Sequence, residues 1–187
     1  MTGFLRRSPV AAFPAVGGKE LRLPLEPLGI WCYNEKKINW RIMTMLALAS
    51  DHGGFALKQA IKAHLEQRGI AYHDYGTYTE ASCDYPDFGR AAALAVASGE
   101  CDRGILICGT GIGISITANK VPGIRCALCT DCFCAEATRL HNDANMLALG
   151  GRVVGEGLAL KIVDTFLDTP FSGDARHIRR IAKIEED

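Results

Sequence analysis

The sequence predicts an α/β protein, a three-layer α/β/α sandwich built on a five-stranded parallel, Rossmann-like sheet. Three observations predict it. From residue 45 onward, short apolar runs of strand length alternate with longer segments of helical periodicity. The strongest run, Gly104–Cys108, is apolar throughout, as a strand covered on both faces must be. Glycine-rich turns follow the first and third runs, and parallel sheets carry their ligand loops at the carboxyl ends of strands.

In chain order, Met45–Ser50 reads as the first strand and ends at Asp51-His52-Gly53-Gly54. Phe55–Arg68 reads as a helix, with Leu57, Ile61, His64 and Leu65 on one face and Gly69 as its stop. Ile70–Asp74 is a second strand, followed by the turn-rich stretch Tyr75–Pro86 and an alanine-rich helix over Asp87–Ser98. Gly104–Cys108 runs into Gly109–Gly113 and a helix reaching Lys120. Ile124–Cys129 is the fourth strand, Asp131–His141 the fourth helix with Asp131 as its N-cap, and Met146–Gly150 the fifth strand. Glu156–Leu167 and the basic segment Asp174–Ile184 complete the pattern as helices.

Composition bounds what such a chain can do. Its 187 residues are 48% hydrophobic, enough for a packed core. The formal net charge of zero argues against a nucleic-acid or membrane-surface binder, and no apolar run is long enough to span a bilayer. The balance is uneven, however. Residues 1–44 carry Arg6, Arg7, Lys19, Arg22, Lys36, Lys37 and Arg41 against Glu20, Glu26 and Glu35, together with Trp31 and Trp40. Of the eight cysteines, Cys32, Cys83, Cys101 and Cys108 are scattered while Cys126, Cys129, Cys132 and Cys134 crowd together. Without a convincing signal peptide, this reads as reduced thiols in the cytoplasm.

Cys108-Gly109-Thr110-Gly111-Ile112-Gly113 is the segment best equipped for chemistry. Its glycines let the backbone approach a ligand and aim N–H groups at an anion, whether a phosphate or a developing oxyanion. A cysteine ending the strand faces the same point, where a helix N-terminus favours the thiolate. A base beside an oxyanion hole is what enolisation next to a carbonyl requires. The competing reading makes Cys108 a small buried hydrophobe. A dinucleotide site is a second rival, with Asp131 about twenty residues on, but the third glycine falls at 113 and breaks that fingerprint.

Three further groups qualify. Asp51 and His52 could bind substrate hydroxyls or phosphate, or serve only as a helix-capping turn. His141-Asn142-Asp143-Ala144-Asn145 is more polar than a helix exit needs; it could supply an acid or base toward a sugar ring oxygen, or a C-cap with Asn in the left-handed position. Arg176 and Arg180 share one helical face and can grip one phosphate, and Arg152 follows Gly150-Gly151 at a strand end. The Cys126–Cys134 run resembles metal-ligand spacing, but residues three apart on a strand point to opposite faces, so convergence would break the strand.

Taken together, the segments SDHGGF (50–55), DYPDF (84–88), ILICGTGIGISITANK (105–120), GIR (123–125), HNDANMLALGGRVVG (141–155) and RHIRR (176–180) resemble the B-type ribose-5-phosphate isomerase family, which includes galactose- and allose-phosphate isomerases. The resemblance covers 45–187 and none of 1–44. It implies interconversion of ribose 5-phosphate and ribulose 5-phosphate through an enediolate, a reaction of the pentose phosphate pathway, with six-carbon or four-carbon phosphosugars as the alternative substrates. Cys108 would be the base, with Thr110 beside it and Gly109, Gly111, Ile112 and Gly113 holding the anion. His141 would assist ring opening and Asn142 would bind substrate. Asp51, His52 and Tyr85 would line the pocket, and Arg152, Arg176 and Arg180 would bind the phosphate. Where some relatives carry a Glu base, this chain has Ile114, so it resembles the cysteine variant. No metal or organic cofactor is implied. The resemblance also implies a homodimer, or a dimer of dimers, with shared active sites, which fits a basic tail reaching a neighbour's pocket.

Residues 1–44 depart from that pattern. They are expected to be a disordered or non-catalytic extension, with Met43 or Met45 matching the start of compact relatives. A targeting segment or a cover over a dimer surface is the alternative.

Overall fold

In the computed structural model, residues 45–186 are described; the expectations placed on residues 1–44, and Cys32 with them, lie outside this range. Five strands, β1 (Leu46–Ser50), β2 (Tyr72–Asp74), β3 (Arg103–Cys108), β4 (Cys126–Leu128) and β5 (Met146–Gly150), form one sheet in the order β2-β1-β3-β5-β4. Every pairing is parallel, as the alternation of strands and helices requires. Six helices surround it: α1 (Phe55–Gln67), α2 (Tyr85–Ala97), α3 (Ile112–Ala118), α4 (Cys132–Asn142), α5 (Glu156–Asp168) and α6 (Ala175–Ile184).

The central strands are buried end to end, and their alternating side chains feed two cores. Leu48, Ile105, Ile107, Leu147 and Leu149 pack with Leu57, Ile61 and Leu65 of α1, Ala135 of α4 and Phe166 of α5. Ala47, Ala49, Leu106, Cys108 and Ala148 face the opposite way, against Ala92, Ala93 and Val96 of α2 and Ile114 of α3. The small residues on that side let α2 and α3 lie close to the sheet. Two cores on two faces give the three layers.

The boundaries differ from expectation for identifiable reasons. β3 starts at Arg103 because its guanidinium donates to the carbonyls of Phe166 and Leu167 at 3.1 and 2.8 Å, so a charged residue can be buried. The edge strands are short. Beside β4 the Asn119 side chain accepts from Cys126 N–H at 2.8 Å and donates to Cys126 C=O at 2.9 Å, standing in for a missing neighbour. Asn119 also ends α3 at Ala118, before Lys120, and Cys129 falls just past β4. Asp131 caps α4 as predicted, accepting from Cys134 N–H at 2.8 Å. The left-handed residue after α4 is Asp143, at φ +44°, and not an asparagine. Its carboxylate pairs with Arg139 at 2.9 Å, while Asn145 is engaged by Arg125 N–H and the Gly123 carbonyl. Among the described residues, no helix is long and apolar enough to cross a membrane.

Leaving β1, the chain builds β2 on one side and then returns to place β3 on the other. The carboxyl ends of β1 and β3 therefore flank a topological switch point, where open α/β sheets hold ligands.

Candidate functional site

Both glycine turns converge on that point. Cys108, 4% exposed, ends β3, and its Sγ accepts the backbone N–H of Gly111 at 3.0 Å. Gly111 has φ +78°, and a Cβ there would lie 2.8 Å from the Leu149 carbonyl carbon and 2.5 Å from Leu128 Cδ1. Only glycine fits both the conformation and the space. Thr110 is exposed, and its Oγ1 accepts the Ile112 N–H at 3.3 Å. Ile112 opens α3 and is 52% exposed. A Cβ on Gly113 would meet the Tyr85 ring at 2.5 Å, so the DYP segment seats its tyrosine directly on this loop.

The first turn packs alongside. A Cβ on Gly53 would come within 3.1 Å of Gly109. Asp51 is buried, and its Oδ1 caps Gly54 N–H at 3.0 Å, so the capping role is filled. His52 is half-buried, with Nδ1 accepting Cys83 N–H at 3.2 Å. Arg152 arrives from β5: its N–H donates to Gly109 C=O at 3.0 Å, and its guanidinium lies beside Gly109. Asp51, His52, Tyr85, residues 108–113 and Arg152 therefore form one contiguous group.

The remaining predicted residues stand elsewhere. His141 and Asn142 close α4 immediately before β5, whereas Cys108 pairs with Gly150 at the far end of that strand. Five residues of extended chain from Met146 to Gly150 span about 16 Å. His141 lies with α6: its ring is 4.5 Å from that of His177, centroid to centroid. His177 is buried and its Nδ1 lies 2.8 Å from Ser172 Oγ; burial, followed by nearby His141 and Arg176, pushes its pKa below the usual histidine value. Arg176 and Arg180 flank His177 on α6, and Arg176 pairs with Asp174 at 3.2 Å. Arg125 ties the two elements together. It donates to the Asn142 and Asp143 carbonyls at 2.9 and 2.8 Å and pairs with Glu185 at 2.6 Å. A cavity of about 670 Å³ opens here, with Asn142, Arg125, Lys120 and Ile184 among its walls. The predicted residues of one chain thus fall into two groups at opposite ends of its sheet.

His177 sits inside the RHIRR run and Cys83 in the turn-rich stretch before α2, and only the fold brings them to His141 and His52. No local pattern marks either. Of the clustered cysteines, Cys126 and Cys129 are buried, with thiols pushed up to about 12, while Cys132 and Cys134 begin α4. Burial is the main cause of both shifts. Among the described residues, no group of three or more His, Cys, Asp or Glu side chains is placed to hold a metal ion.

A parallel sheet whose switch point carries a glycine cradle, a buried thiol and an arginine belongs to the α/β enzymes that work on small anionic ligands. Comparison with known proteins narrows the class. Residues 46–184 match the family model described as Ribose/Galactose Isomerase, and the chain belongs to this family; it is a sugar-phosphate aldose–ketose isomerase. Ribose-5-phosphate isomerase B of Escherichia coli is 50% identical over 142 residues, covering 76% of this chain and 95% of that protein. The ribose-5-phosphate isomerase B structure from Clostridium thermocellum is 58% identical with a TM-score of 0.74, covering 75% of this chain and 95% of that one. A structure from Mycoplasma genitalium with bound ribulose 5-phosphate is 43% identical with a TM-score of 0.71, covering 75% of this chain and 93% of that one.

Proposed function

We propose that this isomerase interconverts ribose 5-phosphate and ribulose 5-phosphate through an enediolate, with Cys108 as the base. The observation that carries the proposal is the sulfur of Cys108 at the carboxyl end of β3, held by the Gly111 N–H inside a cradle where only glycine fits. The thiolate takes a proton from the carbon next to the carbonyl and returns it to the former carbonyl carbon, while the hydroxyl proton of the first carbon passes to the former carbonyl oxygen. The amides of 109–113 hold the oxyanion that forms meanwhile. Thr110 supplies a hydroxyl at the rim, Asp51, His52 and Tyr85 border the sugar, and Arg152 offers a guanidinium to the phosphate. The E. coli relative's name and the ribulose 5-phosphate held by the M. genitalium relative support a five-carbon substrate.

His141 as ring-opening acid, Asn142 as a substrate ligand, and Arg176 and Arg180 as phosphate ligands cannot reach Cys108 of the same chain across β5. A second copy must present them, so the working enzyme is a homodimer, or a dimer of dimers, with composite sites. The proton transfer needs no metal or organic cofactor. The cytoplasm suits a phosphosugar substrate and seven unpaired cysteines among the described residues. Residues 1–44 are an extension outside the isomerase domain. The test is turnover of ribose 5-phosphate by the purified protein and by Cys108→Ser, which should fold and lose activity by orders of magnitude. Parental turnover in that variant would eliminate Cys108 as the base.

A further inference from the structure

His52 has a feature that the reaction scheme leaves unused. Its Nδ1 lies 3.2 Å from the backbone nitrogen of Cys83, within the loop that leads into α2. A backbone amide can only donate, so Nδ1 must present its lone pair. A neutral imidazole has one protonated nitrogen, and with Nδ1 occupied as acceptor the proton belongs on Nε2. The Cys83 thiol, whose sulfur is 4.0 Å from the same Nδ1, adds a second group on that side of the ring. The two ring nitrogens point in nearly opposite directions, so Nε2 faces away from the loop. His52 is half-buried and its neighbour Gly53 packs on Gly109, which puts the ring at the border of the cradle. Asp51, the other polar residue of this turn, already spends Oδ1 on its helix cap.

We infer that the backbone N–H of Cys83 locks His52 in the Nε2–H tautomer, making the ring a hydrogen-bond donor to a substrate oxygen. Cys83 is then a positioning residue acting through its main chain, and the loop before α2 sets the polarity of one wall of the pocket. A ring locked this way offers a donor to a sugar hydroxyl or phosphate oxygen and cannot accept a proton through Nδ1 without breaking its contact with Cys83. The substrate half of this inference rests on the isomerase reading above; the tautomer half does not.

Nitrogen-15 NMR of histidine-labelled protein at pH 8.5 separates the halves, because protonated and bare imidazole nitrogens resonate far apart. His52, assigned by its loss in His52→Gln, should show a protonated Nε2 and a bare Nδ1; the reverse pattern would overturn the inference. Cys83→Ala, which keeps the amide, should leave the pattern unchanged. Cys83→Pro, which removes it, should mix the tautomers and raise KM for ribose 5-phosphate about five- to tenfold with a smaller change in kcat. Should the proline variant not fold, the parent spectrum still decides. Saturating ribose 5-phosphate should move the Nε2–H resonance of the active parent. An unmoved resonance in an active enzyme overturns the donor role. Absence of any isomerisation, with the Nε2–H pattern intact, sinks the isomerase reading and its substrate half while the tautomer stands.

Discussion

Mixing two inactive chains offers the sharpest test of a site divided between copies. Cys108→Ser removes the base from one half-site, and His141→Gln removes the acid from the other. Each purified variant should retain a small fraction of parental turnover. In a two-fold dimer, one site joins Cys108 of the first chain to His141 of its partner, and the second site is the reciprocal. A mixed dimer therefore gathers both defects into one site and leaves the other wholly native. Refolding equal amounts together gives about half mixed dimers with one competent site in two, so activity should recover to about a quarter of the parent. Differently tagged chains purified through both tags should reach about half. The assay is ribulose 5-phosphate formation, with the doubly tagged fraction confirming that chains exchanged. The sharing behind these fractions is argued from geometry, since β5 places about 16 Å between the end of α4 and the Cys108 end of the sheet. If doubly tagged dimers show no more activity than the mean of the two single variants, each chain must complete its own site and the reasoning fails.

Three other predictions follow from the same structure. Gly54→Ala should destabilise by about 1–3 kcal/mol in urea unfolding, because its Cβ would fall 2.6 Å from the Ile107 carbonyl oxygen and backbone has no room to yield; Gly113→Ala, whose Cβ meets the Tyr85 ring, should act mainly on KM by displacing that side chain. Asp74 is pushed up by burial but held net below the usual carboxylate range by hydrogen bonds from Lys58, Gly76 N–H and Lys62. Its contribution is therefore present above the unfolded value near 4 and lost as pH falls through its lower folded value, so the Tm gap between parent and Asp74→Asn should shrink in that window. With thiols near 12, Cys126 and Cys129 present about one thiolate in ten thousand at pH 8, so mass spectrometry after iodoacetamide should find both unlabelled in native protein and labelled once unfolded.

How much of this was legible beforehand depends on the range over which each signal acts. Asp131, Gly69 and the apolar stripe Leu57-Ile61-Leu65 are local devices, and the helices they delimit stand within a residue or two of the expected ends. The edge strands were overextended because Ile70 and Ile124 are apolar, while strand pairing ends where the neighbouring strand ends. Arg103 reads as a loop residue until the carbonyls of α5 are brought to it. The same distinction runs through the site. The Cys108 loop announces itself because glycines, thiol and helix start are contiguous. The contact of His141 with His177 joins residues from two helices, and no spacing rule reaches that far.

The proposed division of the site then has a structural logic. A parallel sheet offers backbone N–H groups at the carboxyl ends of its strands, where Gly109–Gly113 can meet an enediolate. The cationic groups grow on α6 and the end of α4, where Arg125 anchors Asn142 and Glu185 together. Within one chain the α4–α6 groups and the cradle stand at opposite ends of the sheet. Association of two copies would bring the glycine cradle and its Arg152 under a basic clamp, closing water out of the space between them. Charge stabilisation of the oxyanion and grip on the phosphate would then strengthen at the same moment, since both act across a medium of lowered dielectric. On this reasoning, dilution should lower turnover per chain while leaving the Cys108–Gly111 contact and each subunit's own fold intact. Measurement of specific activity against protein concentration, with circular dichroism alongside, checks it; constant specific activity down to concentrations where only single chains are present would refute the composite site.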